Sequence, residues 1–258
     1  DLDGYDVIWS SEAHSPLERL AWFNPTPNAE RKIVMVNGFD GAVGQYDLEI
    51  TESTWTPTDG CNEDCDDLML FPQASSIADG YLVTQWTQYS HIRRYVAYNI
   101  QNATRLVHET YGYTAPLGLG DMSQYDAMTP GALEDALRQP AGTHEHGNHI
   151  NLAYYQTSEN NLGREVCENN GLFCSSEPIL LDAEPTALLI ATILEDASVL
   201  RVAVDPMIRE AILEGSAELT TTQQTNLQTG LVAGDEWPHR YVFMHIEFTD
   251  RESHPIEG

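Results

Sequence analysis

Basic residues are scarce in this sequence. Its 258 residues contain 12 Lys plus Arg against 40 Asp plus Glu, Lys32 is the only lysine, and the formal net charge is −28. A nucleic-acid partner is therefore not expected, because a protein that binds phosphates needs a basic face to neutralise them. So acidic a surface is typical of proteins that stay soluble in saline or extracellular surroundings.

Long apolar runs and the common nucleophile motifs are also lacking. The longest apolar stretch, Thr186–Leu194, is far shorter than the roughly 18 residues of a membrane-spanning helix. Neither a Gly-x-Ser-x-Gly motif nor a phosphate-binding loop occurs. The apolar fraction of 41% is nevertheless enough for a sizeable core, so a disordered chain is excluded.

Cysteine is limited to four residues in two close pairs, Cys61/Cys65 and Cys167/Cys174. Three residues separate the first pair and six the second, whereas zinc-binding thiolates usually occur as C-x2-C. Two local disulfides are therefore favoured over a thiolate metal site. Disulfides indicate an oxidising compartment, so we expect an extracellular or periplasmic protein.

The chain divides into three parts by its patterns. Residues 1–51 have short β-branched and aromatic runs separated by turn residues, which predicts strands. Residues 52–67 combine a linker rich in Thr, Ser, Pro and Gly with an acidic cysteine loop. Residues 68–258 mix helix and strand patterns, and we expect them to form an α+β domain.

Within this larger part, apolar spacing predicts helices at 91–110, 184–196 and 206–214. The third helix has the clearest boundaries: Asp205 is expected at the N-cap, Pro206 at the first helical position and Gly215 just after the end. Strands are predicted at 150–156, 199–204 and 241–248.

Histidines cluster in two places. His144, His146 and His149 lie within six residues of one another, and His239 and His245 lie near the other end of the chain. Hydrolytic zinc sites are usually assembled from such distant groups by folding. A metal site is thus one hypothesis, and ordinary core or surface histidines are the other.

The first part of the chain carries one family resemblance. Asp1-Leu2-Asp3 and the segment Gly38–Ile50, GFDGAVGQYDLEI, resemble the bacterial pre-peptidase C-terminal domain, a small β-sandwich. The glycines suit a tight turn between strands. The family's earlier strands are missing, and an open sheet edge invites pairing with another chain. Self-assembly through residues 1–51 is therefore one expectation.

The larger part carries a second resemblance. Gly118–Ser123, Thr143–Tyr155 and Trp237–Phe248 occur in the order seen in the penicillin-insensitive murein endopeptidases, zinc peptidases grouped with the D-Ala-D-Ala metallopeptidases. The family fingerprint is Ser/Thr-His-x-x-Gly-x-Asp-x-Asp, followed much later by His-x-His. The resemblance implies a zinc-peptidase-like fold, with a small antiparallel sheet flanked by helices, and a peptidoglycan-like peptide as partner.

The fingerprint carries over residue by residue. Thr143, His144 and Gly147 match it, and the resemblance makes His144 the first zinc ligand. His149 stands at the first Asp of the motif, and Asn151 stands at the second Asp, which is the second ligand in the family.

The closing motif is also altered. His245 matches the third ligand, but Phe243 replaces the partner histidine that is assigned to acid/base work. The neutral amide of Asn151 is a weaker zinc ligand than a carboxylate, and a phenyl ring cannot carry a proton. These departures predict weak or absent activity, and whether the chain is an enzyme stays open.

A second alignment preserves more of the chemistry. Glu236-Trp237-Pro238-His239 resembles the Glu-x-x-His motif of the D-Ala-D-Ala dipeptidases. By that resemblance Glu236 is the general base on a zinc-bound water, and His239 binds the metal with His144 and Asn151. His146 or His149 could replace the missing carboxylate.

Three functions follow from these patterns. The favoured one is a secreted murein-endopeptidase-like protein with a degenerate zinc site, weak or inactive as an enzyme, that acts in extracellular or cell-wall binding. The first alternative is an active zinc peptidase that cleaves peptidoglycan cross-links. The second is a structural extracellular subunit that assembles through residues 1–51.

Overall fold

The computed structural model describes residues 68–112, 115–132, 137–158 and 160–249. The strands and β-sandwich predicted in residues 1–51, the linker at 52–67 and the pair Cys61/Cys65 lie outside the described residues.

Within the described ranges, a mixed sheet of six strands forms the centre of an α+β fold. Its order is β2-β4-β5-β8-β6-β7, and β1 pairs with β3 in a separate two-stranded sheet. The strands are β1 (Leu68–Leu70), β2 (Tyr81–Val83), β3 (His91–Arg93), β4 (Leu117–Leu119), β5 (His149–Ala153), β6 (Val199–Ala203), β7 (Leu231–Val232) and β8 (Phe243–Phe248).

The α+β class predicted from the sequence is confirmed, but the sheet is larger than expected and not wholly antiparallel. The four central strands, β4-β5-β8-β6, pair antiparallel. The two edge strands pair parallel with their neighbours, β2 with β4 and β7 with β6.

The described residues form four α-helices: α1 (Arg94–Tyr111), α2 (Ala183–Ile193), α3 (Pro206–Glu214) and α4 (Thr221–Gly230). Nine of the eleven residues of α2 are buried, and α2 contacts each of the other three helices. A helix that is apolar on all sides belongs in the interior, so α2 is the centre of the helical layer.

The helix predictions differ from the structure in instructive ways. The helix predicted at 91–110 begins at Arg94, because His91–Arg93 pairs with β1 instead. Helix α3 has the predicted bounds, and the Asp205 side chain accepts a hydrogen bond from the Met207 backbone N–H. Helix α4 was not predicted, since Leu227 is its one buried residue and no apolar stripe marks it.

The pair β5–β8 separates apolar from polar side chains. Ile150 faces Ile246 across the pair, Leu152 faces Met244, and all four are fully buried in the main apolar core. Because successive strand residues point to opposite faces, the residues between them project to the other side of the sheet. That other side carries the candidate site.

Cys167 and Cys174 form a disulfide, as the sequence predicted. It closes the loop that precedes α2, and the Cys174 backbone N–H donates to the buried Asp205 carboxylate at 2.8 Å. The bond is compatible with an extracellular location. In the part of the chain that the structure covers, none of the helices has the length and apolar character to cross a membrane.

Candidate metal centre

Four polar side chains share one face of the β5–β8 pair. The register sets His149 opposite Glu247 and Asn151 opposite His245. Residues directly opposite on antiparallel strands have Cβ atoms about 5 Å apart, so these side chains are forced into contact. The alternation along each strand thus gathers two imidazoles, an amide and a carboxylate.

His245 makes two short contacts in this patch. Its Nδ1 lies 3.1 Å from Asn151 Oδ1, and its Nε2 lies 3.2 Å from His149 Nδ1. An amide oxygen can only accept, so His245 Nδ1 carries the proton and donates it to Asn151. The Nε2 lone pair of His245 therefore faces His149.

Glu247 completes a group that could hold a metal ion. One donor atom from each of His149, His245 and Glu247 lies within 4.8 Å of the others. Arg201 Nε donates to Glu247 Oε2 at 2.6 Å, and Arg201 Nη2 forms an ion pair with the same oxygen at 2.6 Å. This pairing orients the carboxylate and leaves Oε1 outside the ion pair.

His144 lies against the same group. It is fully buried, and its ring centre is 4.7 Å from that of His245 and 5.8 Å from that of His149. The Thr143 hydroxyl donates to Pro140 O, so its oxygen accepts from His144 Nδ1, 3.3 Å away. His144 Nε2 therefore keeps its lone pair, and that buried atom has no hydrogen-bond partner.

The loop that supplies His144 has an unusual backbone. His144 and His146 have φ of +56° and +57°, which costs a non-glycine residue on the order of 1–3 kcal/mol. Gly147, at φ +72°, lies so close to Arg93 that an added Cβ would be 2.7 Å from the Arg93 backbone N. The Arg93 guanidinium donates to His146 O, and so the loop is fixed to β3.

Trp237 covers the site between two guanidinium groups. Its ring stacks on that of His245 at 5.7 Å, with Arg201 at 5.0 Å and Arg240 at 6.0 Å from its centre. Arg240 also donates from Nη1 to Asn151 Oδ1 at 3.3 Å.

Burial controls the protonation of the histidines. It lowers the pKa of His144 and of His245 well below the ordinary value, and nearby Arg240 lowers the pKa of both further. Asn151 has the opposite effect and raises the pKa of His144, although His144 Nε2 itself has no hydrogen-bond partner. Burial also lowers the pKa of His149, against the opposing charge of Glu247. All three imidazoles are therefore neutral at pH 7, the form that binds a metal.

The structure brings together four of the residues suggested as ligands, namely His144, His149, Asn151 and His245. Of the other suggested residues, Glu236 and His239 are exposed and His146 is partly exposed. The His239 backbone N–H donates to Leu172 O, and its ring lies 6.3 Å from that of Tyr241. Among the described residues no contact joins Glu236 or His239 to the cluster, and their assigned roles stay predictions.

Phe243, which the resemblance matches to an acid/base histidine, packs against backbone. A Cβ on Gly163 would lie 1.9 Å from the Phe243 ring, so the ring rests directly on that glycine. Beside it is a pocket of about 380 Å³. The pocket is lined by Gln85, Asp121, Arg138, Gln139, Asn151 and Phe243.

Sequence reasoning missed Glu247, Arg201 and Arg240. A signal for Glu247 was present, because strand alternation sets it two residues from His245 on the same face. Arg201, on β6, had no local signal, since only strand pairing brings it to Glu247.

No protein-family model matches the sequence, and no curated protein matches it significantly. The resemblance to the murein endopeptidases therefore depends on the motif residues alone and stays a prediction.

Proposed function

We propose that the described residues belong to a murein-endopeptidase-like domain with a degenerate metal site, and that this domain binds peptidoglycan peptides with weak or no hydrolysis. An extracellular or cell-wall setting fits the disulfide Cys167–Cys174 and the charge of −28.

The convergence of the motif positions carries this proposal. His144, Asn151 and His245 stand where the family has its three zinc ligands. The last of them is 94 residues from Asn151 in sequence, yet the two side chains are in contact. His144 is within ring contact of His245 as well. The contact between positions so far apart in sequence supports the proposal.

Two substitutions support weak or absent hydrolysis. Asn151 brings no negative charge, and its oxygen already accepts from Arg240 and His245. Phe243 cannot transfer a proton, and general acid–base catalysis typically contributes about 10²–10⁴-fold to a rate. The exposed Glu236 makes no contact with the cluster among the described residues. The chemistry of the site is thus reduced while its framework persists.

The pocket beside Phe243 supports a binding role. It combines an aromatic ring with the side-chain amides of Gln85 and Gln139 and the guanidinium of Arg138, which is bound to Asp121. A volume of about 380 Å³ is within the usual range for small-ligand sites. Peptidoglycan stem peptides offer amides and carboxylates that match these groups.

Calorimetry with soluble muropeptides, released from peptidoglycan by a muramidase, tests the proposal. We expect saturable binding to the whole chain, at least tenfold weaker in Phe243→Ala and in Gln139→Ala. Arg105→Ala, in a separate pocket beside α1, is the matched control and should bind like the wild type. Binding that is absent, or equal in all four proteins, would overturn the proposal.

An active zinc peptidase is the second candidate, and the buried, unpaired Nε2 of His144 favours it. Chromatography of cross-linked muropeptide dimers, incubated with protein and Zn²⁺, separates the two. Turnover that is lost in His144→Asn would establish the enzyme, since Asn also tolerates a positive φ. The third hypothesis, assembly through residues 1–51, concerns a segment outside the described residues and stays a prediction.

A further inference from the structure

The ligand positions of the family do not fit a zinc ion in this chain. Asn151 Oδ1, at the second ligand position, accepts from His245 Nδ1 at 3.1 Å and from Arg240 Nη1 at 3.3 Å. Both acceptor directions of this neutral oxygen are thus occupied, and one donor is a cation. A divalent ion bound there would have to displace a guanidinium group from a weak ligand.

The hydrogen bond from His245 to Asn151 also determines which nitrogen of His245 is available to a metal ion. With its proton on Nδ1, His245 presents the Nε2 lone pair to His149 Nδ1, 3.2 Å away. Two nitrogens on one tetrahedral zinc are about 3.3 Å apart, given Zn–N bonds of about 2.0–2.1 Å. The spacing of these two atoms is therefore already that of ligands sharing one ion.

Glu247 supplies the charge that Asn151 lacks. It lies opposite His149 in the strand register, and one of its carboxylate oxygens is within 4.8 Å of a ring nitrogen of each histidine. Two histidines and one glutamate form a ligand set found in zinc sites that keep a fourth position open. His149 and Glu247 are partly exposed while His245 is buried, so an ion can enter from the side of the carboxylate.

We propose that this chain binds Zn²⁺ at a relocated site, formed by His149 Nδ1, His245 Nε2 and Glu247. The site lies further along the β5–β8 pair than the family's ligand positions, towards the cross-strand pair His149–Glu247. Asn151 and Arg201 are positioning residues. Asn151 accepts a hydrogen bond from His245 Nδ1 and Arg201 donates one to Glu247 Oε2, so each orients a ligand without itself binding the ion. The site does not require muropeptide binding, so the two proposals fail separately.

Titration of the whole chain with Co²⁺, followed by displacement with Zn²⁺, tests the ligand set. Wild type should bind Co²⁺ with a visible absorption band that Zn²⁺ removes. His149→Gln and Glu247→Gln should lose this band, and Asn151→Ala and Arg201→Gln should weaken binding roughly 10- to 100-fold. His146→Asn and Glu145→Gln are matched controls, since each alters a neighbouring group of the same type outside the ligand set.

A variant that is expected to gain an absorption band distinguishes the loss of a ligand from misfolding. His149→Cys keeps a ligand in place, and its thiolate should give a near-ultraviolet charge-transfer band with Co²⁺. His108→Cys, on α1, should give none. The proposal is overturned if wild type shows no visible absorption band with Co²⁺. It is equally overturned if His144→Asn abolishes the band while His149→Gln and Glu247→Gln retain it.

Discussion

Two buried histidine environments in this fold differ in what surrounds each imidazole. His91, on β3, is nearly fully buried, its ring meets Tyr125 at 6.4 Å, and its Nδ1 has no hydrogen-bond partner. His245, on β8, is equally buried, but His149, His144 and Glu247 lie close to it. Burial is thus common to both, while converging ligands are found around His245 alone of the two.

Burial alone does not make a histidine a metal ligand. A single neutral imidazole in an apolar setting is part of the core packing, because no second ligand lies close enough to bind the same ion. Strand register supplies the additional ligands at β5–β8, whereas β3 pairs with the short apolar strand β1.

Gly147→Ala should have the largest effect, because it disrupts the link between the two histidine environments. Gly147 O accepts from the Arg93 backbone N–H, and Arg93 belongs to the same strand as His91. The positive φ and the 2.7 Å approach to the Arg93 backbone both oppose a Cβ. We expect the free energy of unfolding to fall by about 3 kcal/mol or more in urea titrations.

Gly112→Ala is the matched control for that variant. Gly112 has a similar φ of +65°, but an added Cβ there meets nothing within 4 Å. Only the left-handed backbone remains as a cost, about 1–2 kcal/mol. Equal losses in the two variants would show that the close approach of Gly147 to β3 contributes nothing.

His91 should make stability depend on pH. Burial lowers its pKa to about 4, against 6.5 when unfolded, so the unfolded chain binds the extra proton between these values. Its contribution to stability is fully present above pH 6.5 and is lost as pH falls towards 4. Between pH 7 and pH 5 this amounts to about 2 kcal/mol.

Urea titrations of wild type and His91→Gln at both pH values isolate that contribution. The loss of stability on acidification should be about 2 kcal/mol smaller in the variant. The histidines of the cluster titrate in both proteins and cancel in the difference. The same loss in both proteins would mean that His91 is already charged, or solvated, in the folded chain.

Asn151→Asp should strengthen metal binding by roughly tenfold, since a carboxylate that accepts from His245 Nδ1 raises the basicity of Nε2. Competition between the protein and a zinc indicator measures the change. His91→Gln, which alters the isolated histidine, should leave the affinity for Zn²⁺ unchanged. A weaker affinity in Asn151→Asp would contradict the positioning role of Asn151.

His146→Asn should have the smallest effect. His146 shares the loop of His144 but makes no contact with His245, and Asn accepts its φ of +57°. We expect the free energy of unfolding to change by less than about 0.5 kcal/mol. Thermal unfolding measures this, and a larger change would extend the cluster beyond the residues assigned to it.

Much of the candidate site was visible in the sequence, though not its organisation. Spacing and motif resemblance named His144, His149, Asn151 and His245, and the structure brings these four together. Nothing in the local pattern separates them from the exposed His239, whose neighbours are decided by the loop before β8.

Local physics explains which helices could be predicted. For α3, the sequence around Asp205, Pro206 and Gly215 combines a cap, a rigid first residue and an apolar stripe, and the bounds follow from these alone. Helix α4 has a capping box at Thr220 and Gln223 but no stripe, so packing of Leu227 against the core decides it.

By itself the sequence determined the net charge, the α+β class and the disulfide Cys167–Cys174, because each follows from composition or from short spacings, and motif resemblance added four of the candidate ligands. Only the tertiary structure decided which ligands meet. The register of β5 on β8 sets Glu247 opposite His149, and the pairing of β6 with β8 brings Arg201 to that glutamate. Strand register between segments almost a hundred residues apart depends on burying Ile150 and Ile246 together, which no local pattern encodes.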